Sequence, residues 1–376
     1  MPSKPSVVTI QAMAELSIGI VGLPNVGKST LFNALTKKGA AASNYPFCTI
    51  DPNKGVVEVK DERLDILAKA SNSAKIIPAH CVFFDIAGLV EGASKGEGLG
   101  NKFLANIRET NVILHVVRCF EDPDVVHVRG KIDPIADIEI IELELALADL
   151  QMCQNSLVKL EKQARGNREL LPTVELLKRC ATHLDEGKSL RELEFTDEEL
   201  ETLRLYPFLT LKDVIYATNV DESSLPEMEN EYVKLVKEHA KKTGSEVISI
   251  CSKFEEELGT LEEAEAKEFL DSVGLEQSGL IRLVNLCFNK LGLITYFTTG
   301  PEETRAWTIR QGTNAKIAAG EIHSDIEKGF IRAEVISVPL LEELGSRSAI
   351  KDAGKMRSEG RDYIVLDGDV LLFFHN

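Results

Sequence analysis

Long apolar runs are missing from this sequence. No stretch reaches the roughly 18 to 20 consecutive apolar residues that a membrane-spanning helix needs, and the first residues lack the basic and apolar segments of a secretory signal. The 376 residues are 44% hydrophobic and 27% charged, which is typical of a globular chain with about two or three domains. We therefore expect a cytoplasmic protein with no membrane contact.

Cysteine pairs at short spacing are also missing. The chain has seven cysteines, an odd number, and none of them forms a CxxC pair. Structural zinc sites usually carry such pairs, and a disulfide framework uses an even number of cysteines. The sequence therefore predicts reduced, buried thiols and excludes a disulfide scaffold or a cysteine-rich zinc site.

Positive charge is scarce relative to negative charge. The chain has 43 lysines and arginines against 60 aspartates and glutamates, so its formal net charge is −17. A surface of this charge does not attract nucleic acid as a whole, and any such contact must come from a local basic patch. The best basic cluster lies near the carboxyl terminus and consists of Lys351, Lys355, Arg357 and Arg361.

A glycine-rich segment is the strongest motif in the chain. Gly22-Leu-Pro-Asn-Val-Gly-Lys-Ser29 fits the GxxxxGK[ST] pattern of phosphate-binding loops. It follows the apolar run 16–21 and precedes the amphipathic segment 31–35, so a buried strand should turn into a helix here. Backbone amides and the ammonium of Lys28 would then bind phosphates. The residues expected at the nucleotide are Asn25, Val26, Gly27, Lys28, Ser29 and Thr30.

Three residues are predicted ligands of Mg²⁺. The Ser29 hydroxyl follows the phosphate-binding lysine, and Thr49 lies in a polar segment about twenty residues later, where a switch loop would present a hydroxyl. Asp85 ends the strand pattern 81–84 and begins a DxxG motif. The glycine-rich segment 88–100 that follows predicts a mobile second switch.

The residue after Gly88 is Leu89, at the position where many P-loop GTPases carry a glutamine that orients the attacking water. Because leucine cannot orient water, hydrolysis must use another group or depend on a partner or a cation. Asn25 is of a residue type that helps ligate a monovalent cation in some GTPases, so K⁺ is a predicted accessory. His127 lies in a loop pattern and is a better candidate for a catalytic group than His115, which lies within a strand pattern.

A tetrapeptide at a strand end bears on the choice of base. P-loop GTPases carry NKxD here, whereas this chain has Asn219, Val220, Asp221 and Glu222. The lysine stem is lost and the last carboxylate is longer by one methylene, which disfavours paired hydrogen bonds to guanine and favours ATP. Asp221 in a shifted register keeps GTP open. A small-residue turn at Ser252 is suited to closing over the base.

The periodicity predicts a nucleotide-binding domain interrupted by a helical hairpin. The core domain should be an α/β fold with a doubly wound, mostly parallel sheet, and the last segment is a compact mixed β domain. The hairpin suits either a partner-binding arm or a structural spacer. The predicted boundaries are a flexible extension at 1–12, a nucleotide-binding domain at 13–136 and 206–290, the insertion at 137–205 and the carboxyl-terminal domain at 291–376.

Taken together, these motifs make the chain resemble the YchF/Obg-like ATPase family of Obg-related P-loop proteins, over nearly all of 13–376. The segments that carry the resemblance are Gly22–Ser29, Tyr45–Ile50, Asp85–Val90, Ala93–Gly100, Asn219–Glu222, Ala306–Ile309, His323–Ile331 and Asp362–Val365. The resemblance implies an ATPase, with GTP use in some members, that associates with ribosomes in translation or stress responses. It also implies a coiled-coil insertion, a β-grasp TGS domain and a basic-lined cleft. The family's proposed catalytic histidine matches His127.

The sequence therefore predicts an Mg²⁺-dependent ATPase switch that binds the large ribosomal subunit through its RNA or protein. Lys28 and His127 are the predicted catalytic residues, and Asn219, Val220, Glu222 and Ser252 are the predicted contacts of the base. Two alternatives stay open at this point, a GTPase of the same fold and a nucleotide-regulated RNA- or ribosome-binding module with little turnover. We expect a monomer.

Overall fold

The computed structural model describes residues 16–38, 53–86, 99–123 and 130–376. The predictions for Thr49, Leu89, His127 and the extension at 1–12 lie outside these ranges.

The strands of the described ranges are β1 (Ser17–Val21), β2 (Lys54–Val59), β3 (Ile76–Ile77), β4 (Ala79–Asp85), β5 (Val112–Arg118), β6 (Asp213–Asn219), β7 (Glu246–Ile250), β8 (Leu293–Thr299), β9 (Thr304–Arg310), β10 (Phe330–Ser337), β11 (Arg357–Glu359) and β12 (Asp369–His375). The α-helices are α1 (Lys28–Lys38), α2 (Arg63–Ser71), α3 (Leu99–Glu109), α4 (Pro134–Ala164), α5 (Leu171–Asp185), α6 (Asp197–Leu203), α7 (Glu231–Thr243), α8 (Ser252–Leu258), α9 (Glu263–Ser272), α10 (Gly279–Lys290), α11 (Ala315–Ile322), α12 (Ser324–Lys328), α13 (Val338–Leu344) and α14 (Arg347–Asp352).

The first six-stranded sheet has the order β2-β4-β1-β5-β6-β7. The pairings of β4 with β1, β1 with β5, β5 with β6 and β6 with β7 are all parallel. Every residue of β1 and of β5 is buried, as expected for parallel strands that are covered on both faces. The predicted mostly parallel α/β sheet is confirmed, and the carboxyl ends of β1, β5 and β6 lie side by side.

Two helices, α4 and α5, form the predicted helical insertion. Pro134 occupies the first turn of α4, and the carboxylate of Asp133 caps that helix by accepting a hydrogen bond from the amide of Ala136. The two helices bury a shared apolar cluster, and the chain turns between them at 165–170. Asp149 fixes the segment that leads back to the sheet, because its carboxylate accepts hydrogen bonds from the backbone amides of Leu209 and Thr210 at 2.8–3.0 Å.

The second six-stranded sheet has the order β11-β10-β12-β8-β9-β3 and mixes parallel with antiparallel pairs. Its core includes Tyr296, Val335 and Leu371 together with the alanines of α11. The predicted mixed β architecture of this region is confirmed. The last strand, β12, begins after the turn at Gly368.

The described residues fall into two compact units. The first lies within Met1–Asn33, Cys48–Gly55 and Val82–Glu256, and the second lies within Ala34–Phe47, Val56–Cys81 and Glu257–Asn376. The domain boundaries given above stay predictions. The six cysteines of the described ranges are free and buried, as the sequence indicated. Among the described helices, none combines the length and the apolar character needed to cross a bilayer.

Candidate nucleotide-binding site

The loop between β1 and α1 has the backbone that its glycines predict. Gly22 has φ +155° and Gly27 has φ +98°. A methyl group at Gly22 would lie 2.5 Å from the carbonyl oxygen of Val116, and one at Gly27 would lie 2.2 Å from Nδ2 of Asn219. Both positions therefore require glycine for space as well as for conformation. Asn25 also adopts the left-handed region, with φ 62°.

Lys28 is the first residue of α1 and is nearly buried, with 8% of its surface exposed. Its Nζ donates a hydrogen bond to the carbonyl oxygen of Leu23 at 2.7 Å, which holds the side chain inside the loop. Burial lowers the pKa of Lys28 to about 8, and the charge of Asp85 acts in the opposite direction. This ammonium is thus poorly solvated and would gain from a bound anion.

Asp85 ends β4 beside the end of β1, opposite Ile20. Burial raises the pKa of this half-buried carboxyl, and the charge of Lys28 opposes the change. Ser29 stands on the first turn of α1 and is exposed. The Ser29 hydroxyl and the Asp85 carboxylate are oxygen donors of the kind that Mg²⁺ prefers.

Asn219, the last residue of β6, joins two loops. Its Nδ2 donates to the carbonyl oxygen of Val26, and its Oδ1 accepts from the backbone amide of Ser252, both at 2.9 Å. A side-chain amide has a second N–H and a second lone pair, so one further bond of each kind is possible. Asn219 therefore fixes the distance between the phosphate loop and the turn that begins α8, and it keeps capacity for a ligand.

The residues after Asn219 point to the base end of the site. The Oδ1 of Asp221 accepts hydrogen bonds from the hydroxyls of Ser223 and Ser224 at 2.6 and 3.1 Å. Oε2 of Glu222 lies 3.5 Å from Nζ of Lys253, and both side chains are largely exposed. Asp221 thus satisfies its own turn, whereas Glu222 faces a lysine across the mouth of the site.

Most of these groups line one cavity of about 540 Å³ within the first unit, but Asp85 is not among its lining residues. Its lining residues are Asn25, Gly27, Lys28, Ser29, Thr30, Phe120, Glu121, Asp122, Asn219, Val220, Asp221, Glu222, Cys251, Ser252, Lys253 and Glu256. The cavity thus brings together all the predicted nucleotide contacts except Val26, which is buried behind the loop. The Oγ of Ser252 is buried in this wall and has no hydrogen-bond partner within the described ranges, so it is available to a ligand.

Sequence reasoning missed one wall of the cavity, the segment after β5. Arg118 is 1% exposed, and its guanidinium donates to the carbonyl oxygens of Phe120 and Asp122 at 3.1 and 3.2 Å. It also lies 4.6 Å from the centroid of the Phe120 ring. The sequence could have indicated this wall, because the segment follows the apolar strand pattern of β5. Ligands of parallel sheets bind where the carboxyl ends of neighbouring strands meet.

His115 is a core residue, as its strand pattern indicates. It is 2% exposed and lies 5.7 Å from the ring of Tyr216. Burial lowers its pKa to about 4, so the imidazole is neutral at pH 7. Within the described ranges, no group of three or more His, Cys, Asp or Glu side chains is arranged to hold a metal ion.

Family models match two parts of the chain. A model described as a 50S ribosome-binding GTPase matches residues 17–152. A model named for the carboxyl-terminal domain of YchF GTPases, and described as a protein of unknown function, matches residues 293–376. The "Ribosome-binding ATPase YchF" of Haemophilus influenzae is 51% identical, covering 95% of this chain and 98% of the relative. The chain belongs to the YchF family.

Other members of the family extend the similarity. The protein of the same name from Bacillus subtilis is 47% identical over 96% of this chain and 99% of the relative. "Obg-like ATPase 1" of Danio rerio is 45% identical over 96% of this chain and 93% of the relative. The solved structure of the Schizosaccharomyces pombe YchF GTPase, 37% identical, aligns with a TM-score of 0.88 over 97% of this chain and 99% of that chain. The resemblance and fold expected from the motifs are confirmed.

Proposed function

We propose that this chain is an Mg²⁺-dependent ATPase that works as a nucleotide switch on the ribosome, in the cytoplasm. The single observation that carries the proposal is the cavity that joins a phosphate-binding loop to the base wall at Asn219–Glu222. Curated relatives at 51% and 47% identity are named ribosome-binding ATPases. Association with the ribosome is proposed on those names and on the ribosome-binding description of the amino-terminal family model.

The base wall supports ATP over GTP. Guanine recognition needs a carboxylate that accepts two hydrogen bonds from N1–H and the exocyclic amine. One carboxylate oxygen of Asp221, Oδ1, already accepts two serine hydroxyls, and Glu222 lies beside Lys253. Adenine has no amine at C2, so it needs no such carboxylate, and the free N–H of Asn219 together with the Oγ of Ser252 can serve its ring nitrogens.

The phosphate end of the cavity supports binding of the triphosphate with Mg²⁺. Lys28 and the first amides of α1 would hold the phosphates. Ser29 and Asp85 would hold the metal, with Thr49 as a third proposed ligand, and bound Mg²⁺ would neutralise charge on the phosphate oxygens. We further propose K⁺ beside Asn25, which has a left-handed backbone and is exposed on the loop.

Competitive titration with the two nucleotides tests the proposal. Isothermal titration calorimetry should give a lower Kd for ATP than for GTP in the presence of Mg²⁺, and turnover should rise when ribosomes or K⁺ are added. GTP binding tenfold tighter, or about 1.4 kcal/mol, would overturn the assignment of the base. In that case the second candidate, a GTPase, would hold; the description of the amino-terminal family model and the name of the yeast structure favour it.

The role of His127 gives a separate prediction. If this histidine positions or activates water, His127→Ala should lower kcat at least about tenfold while the Kd for ATP stays nearly constant. Single-turnover hydrolysis and calorimetry on the same preparation measure the two quantities. His183→Ala, on the helical insertion, serves as the control and should change neither. Unchanged turnover in His127→Ala would remove this residue from the mechanism.

A further inference from the structure

The second unit contains a large cleft that is separate from the nucleotide cavity. Its volume is about 1300 Å³, which exceeds the roughly 300 to 1,000 Å³ of ordinary small-molecule sites. Its lining comes from the end of β2, the start of α2, α10, the start of β8 and several neighbouring segments. Every residue that lines the cleft belongs to the second unit.

The cleft is strongly acidic. Six carboxylates line it against two cations, a formal net charge of −4. Arg63, one of the two cations, is already paired: its guanidinium donates to both carboxylate oxygens of Asp61 at 2.6–3.1 Å and to Asp367 at 2.7 Å. The other cation is Lys60. The remaining carboxylates are Glu58, Glu62, Asp65 and Glu263. This charge favours a cationic occupant and disfavours nucleic acid.

Part of the lining is apolar. Leu64, Phe288 and Leu293, which we call the floor, are buried at 3–6% exposure, whereas Ile76 has 41% of its surface exposed. A small inorganic cation would gain nothing from this floor. Apolar side chains of a larger ligand would gain about 25 cal/mol for each Å² that they bury.

Four side-chain amides complete the lining, namely Gln277, Asn285, Asn289 and Gln311. Asn285 and Asn289 lie one turn apart on α10, in line with Ile281. Each side-chain amide offers both a donor and an acceptor, which matches the alternating N–H and C=O groups of a peptide main chain.

We propose that this cleft binds a lysine- or arginine-rich peptide segment of a partner protein, with apolar residues interspersed among the basic ones. The carboxylates receive its cationic side chains, the floor receives its apolar side chains, and the amides pair with its backbone. Neither a nucleotide nor an RNA strand satisfies all three features.

Fluorescence anisotropy with labelled ten-residue peptides tests the proposal on the full chain. An alternating lysine-leucine peptide should bind at low salt, whereas lysine-serine and glutamate-leucine peptides of the same length should bind far more weakly. The double variant Glu62→Gln/Glu263→Gln should weaken binding of the lysine-leucine peptide about tenfold. The control Glu198→Gln/Glu227→Gln removes two exposed charges from the first unit and should leave the affinity unchanged.

Each of three results would overturn the proposal. The first is equal affinity of the wild type and of Glu62→Gln/Glu263→Gln when both melt at the same temperature. The second is equal affinity for the lysine-leucine and lysine-serine peptides. The third is direct, saturable binding of a labelled single-stranded RNA oligonucleotide that Glu62→Gln/Glu263→Gln alters, which would make the cleft a nucleic-acid site. Ile76→Ser provides an independent check, since it should weaken only the lysine-leucine complex.

Discussion

The ammonium of Lys28 shows how a single buried charge prepares a site for its ligand. The ammonium is taken out of water by the loop, donates a hydrogen bond to the carbonyl oxygen of Leu23 and interacts with the charge of Asp85. A buried ammonium loses part of its solvation, so its charged form is destabilised until an anion arrives. Phosphate binding then restores that charged form, which makes affinity and protonation linked quantities.

This linkage predicts a pH dependence of ATP affinity. In the free protein the Lys28 ammonium loses its proton near pH 8 rather than near 10.5. Bound phosphates favour the charged form, so binding takes up a proton above pH 8, and affinity falls as the pH rises. We expect ATP to bind about tenfold more weakly near pH 9 than near pH 7. Calorimetry in buffers of different ionisation enthalpy measures the proton uptake.

Lys28→Arg is the matched variant for this effect. A guanidinium stays charged throughout the window, so this variant should bind ATP with an affinity that does not change between about pH 7 and 9. A wild-type affinity that is equally constant would show that Lys28 is still protonated near pH 9 and would contradict the prediction.

Gly27 gives a second prediction at the scale of one residue. Gly27→Ala adds a methyl group 2.2 Å from Nδ2 of Asn219 on a backbone with φ +98°. Asn219 must then move and release the carbonyl of Val26, so ATP affinity should fall by at least about tenfold. Gly244→Ala is the control, because φ is +66° there and nothing lies within 4 Å. It should lower stability by about 1 kcal/mol and leave the Kd for ATP unchanged.

At the scale of elements, the position of the helical insertion depends on its shared apolar cluster and also on the hydrogen bonds of Asp149. Asp149 on α4 is fully buried, and its carboxylate satisfies the amides of Leu209 and Thr210 and the Thr210 hydroxyl. Those groups belong to the segment that returns the chain to β6. The contact joins residues about sixty positions apart and therefore closes the insertion onto the sheet domain.

Asp149→Ala should destabilise the protein by about 3 kcal/mol, because two buried amides lose their acceptor. Asp149→Asn should cost less, because its carbonyl oxygen can still accept the hydrogen bonds that Oδ2 receives. Urea unfolding followed by circular dichroism measures both values. Asp185→Ala, an exposed position at the end of α5, should change stability by less than about 0.5 kcal/mol. A similar loss in that control would mean that Asp149 has no special role.

At the scale of the whole molecule, ligand binding should stabilise the two units unequally. The nucleotide cavity is lined entirely by the first unit, and the acidic cleft is lined entirely by the second. A ligand that binds only the folded state stabilises it by about 2.7 kcal/mol at a concentration of 100 Kd. That gain belongs to the cooperative unit that contains the site.

Hydrogen exchange measures this difference. With ATP and Mg²⁺ at 100 Kd, amides of β1, β5 and β6 should exchange about one hundredfold more slowly, whereas amides of β10 and β12 should keep their rates. Lys28→Ala provides the control without bound nucleotide. Equal protection of both sheets would show that the chain unfolds as one cooperative body and would contradict the prediction.

The sequence by itself determined the features that depend on local spacing. The phosphate-binding loop, the strand before it and the helix after it are encoded within Gly22–Ser29 and its flanks, and the helical insertion is encoded by apolar periodicity. The α/β class followed from the same local patterns. The strand pattern around His115 likewise predicts a core residue, because a histidine inside a continuous apolar strand is surrounded by buried side chains.

The tertiary structure decided what depends on residues far apart in the chain. Asn219 was predicted to contact the base, yet only the fold shows it bridging Val26 and Ser252. The cavity wall at Phe120 and the acidic cleft form where segments that are distant in sequence lie together in the fold. The local spacing of residues does not show which distant segments will meet. Strand order and helix docking bring such segments together, and those are set by burial of the whole apolar surface.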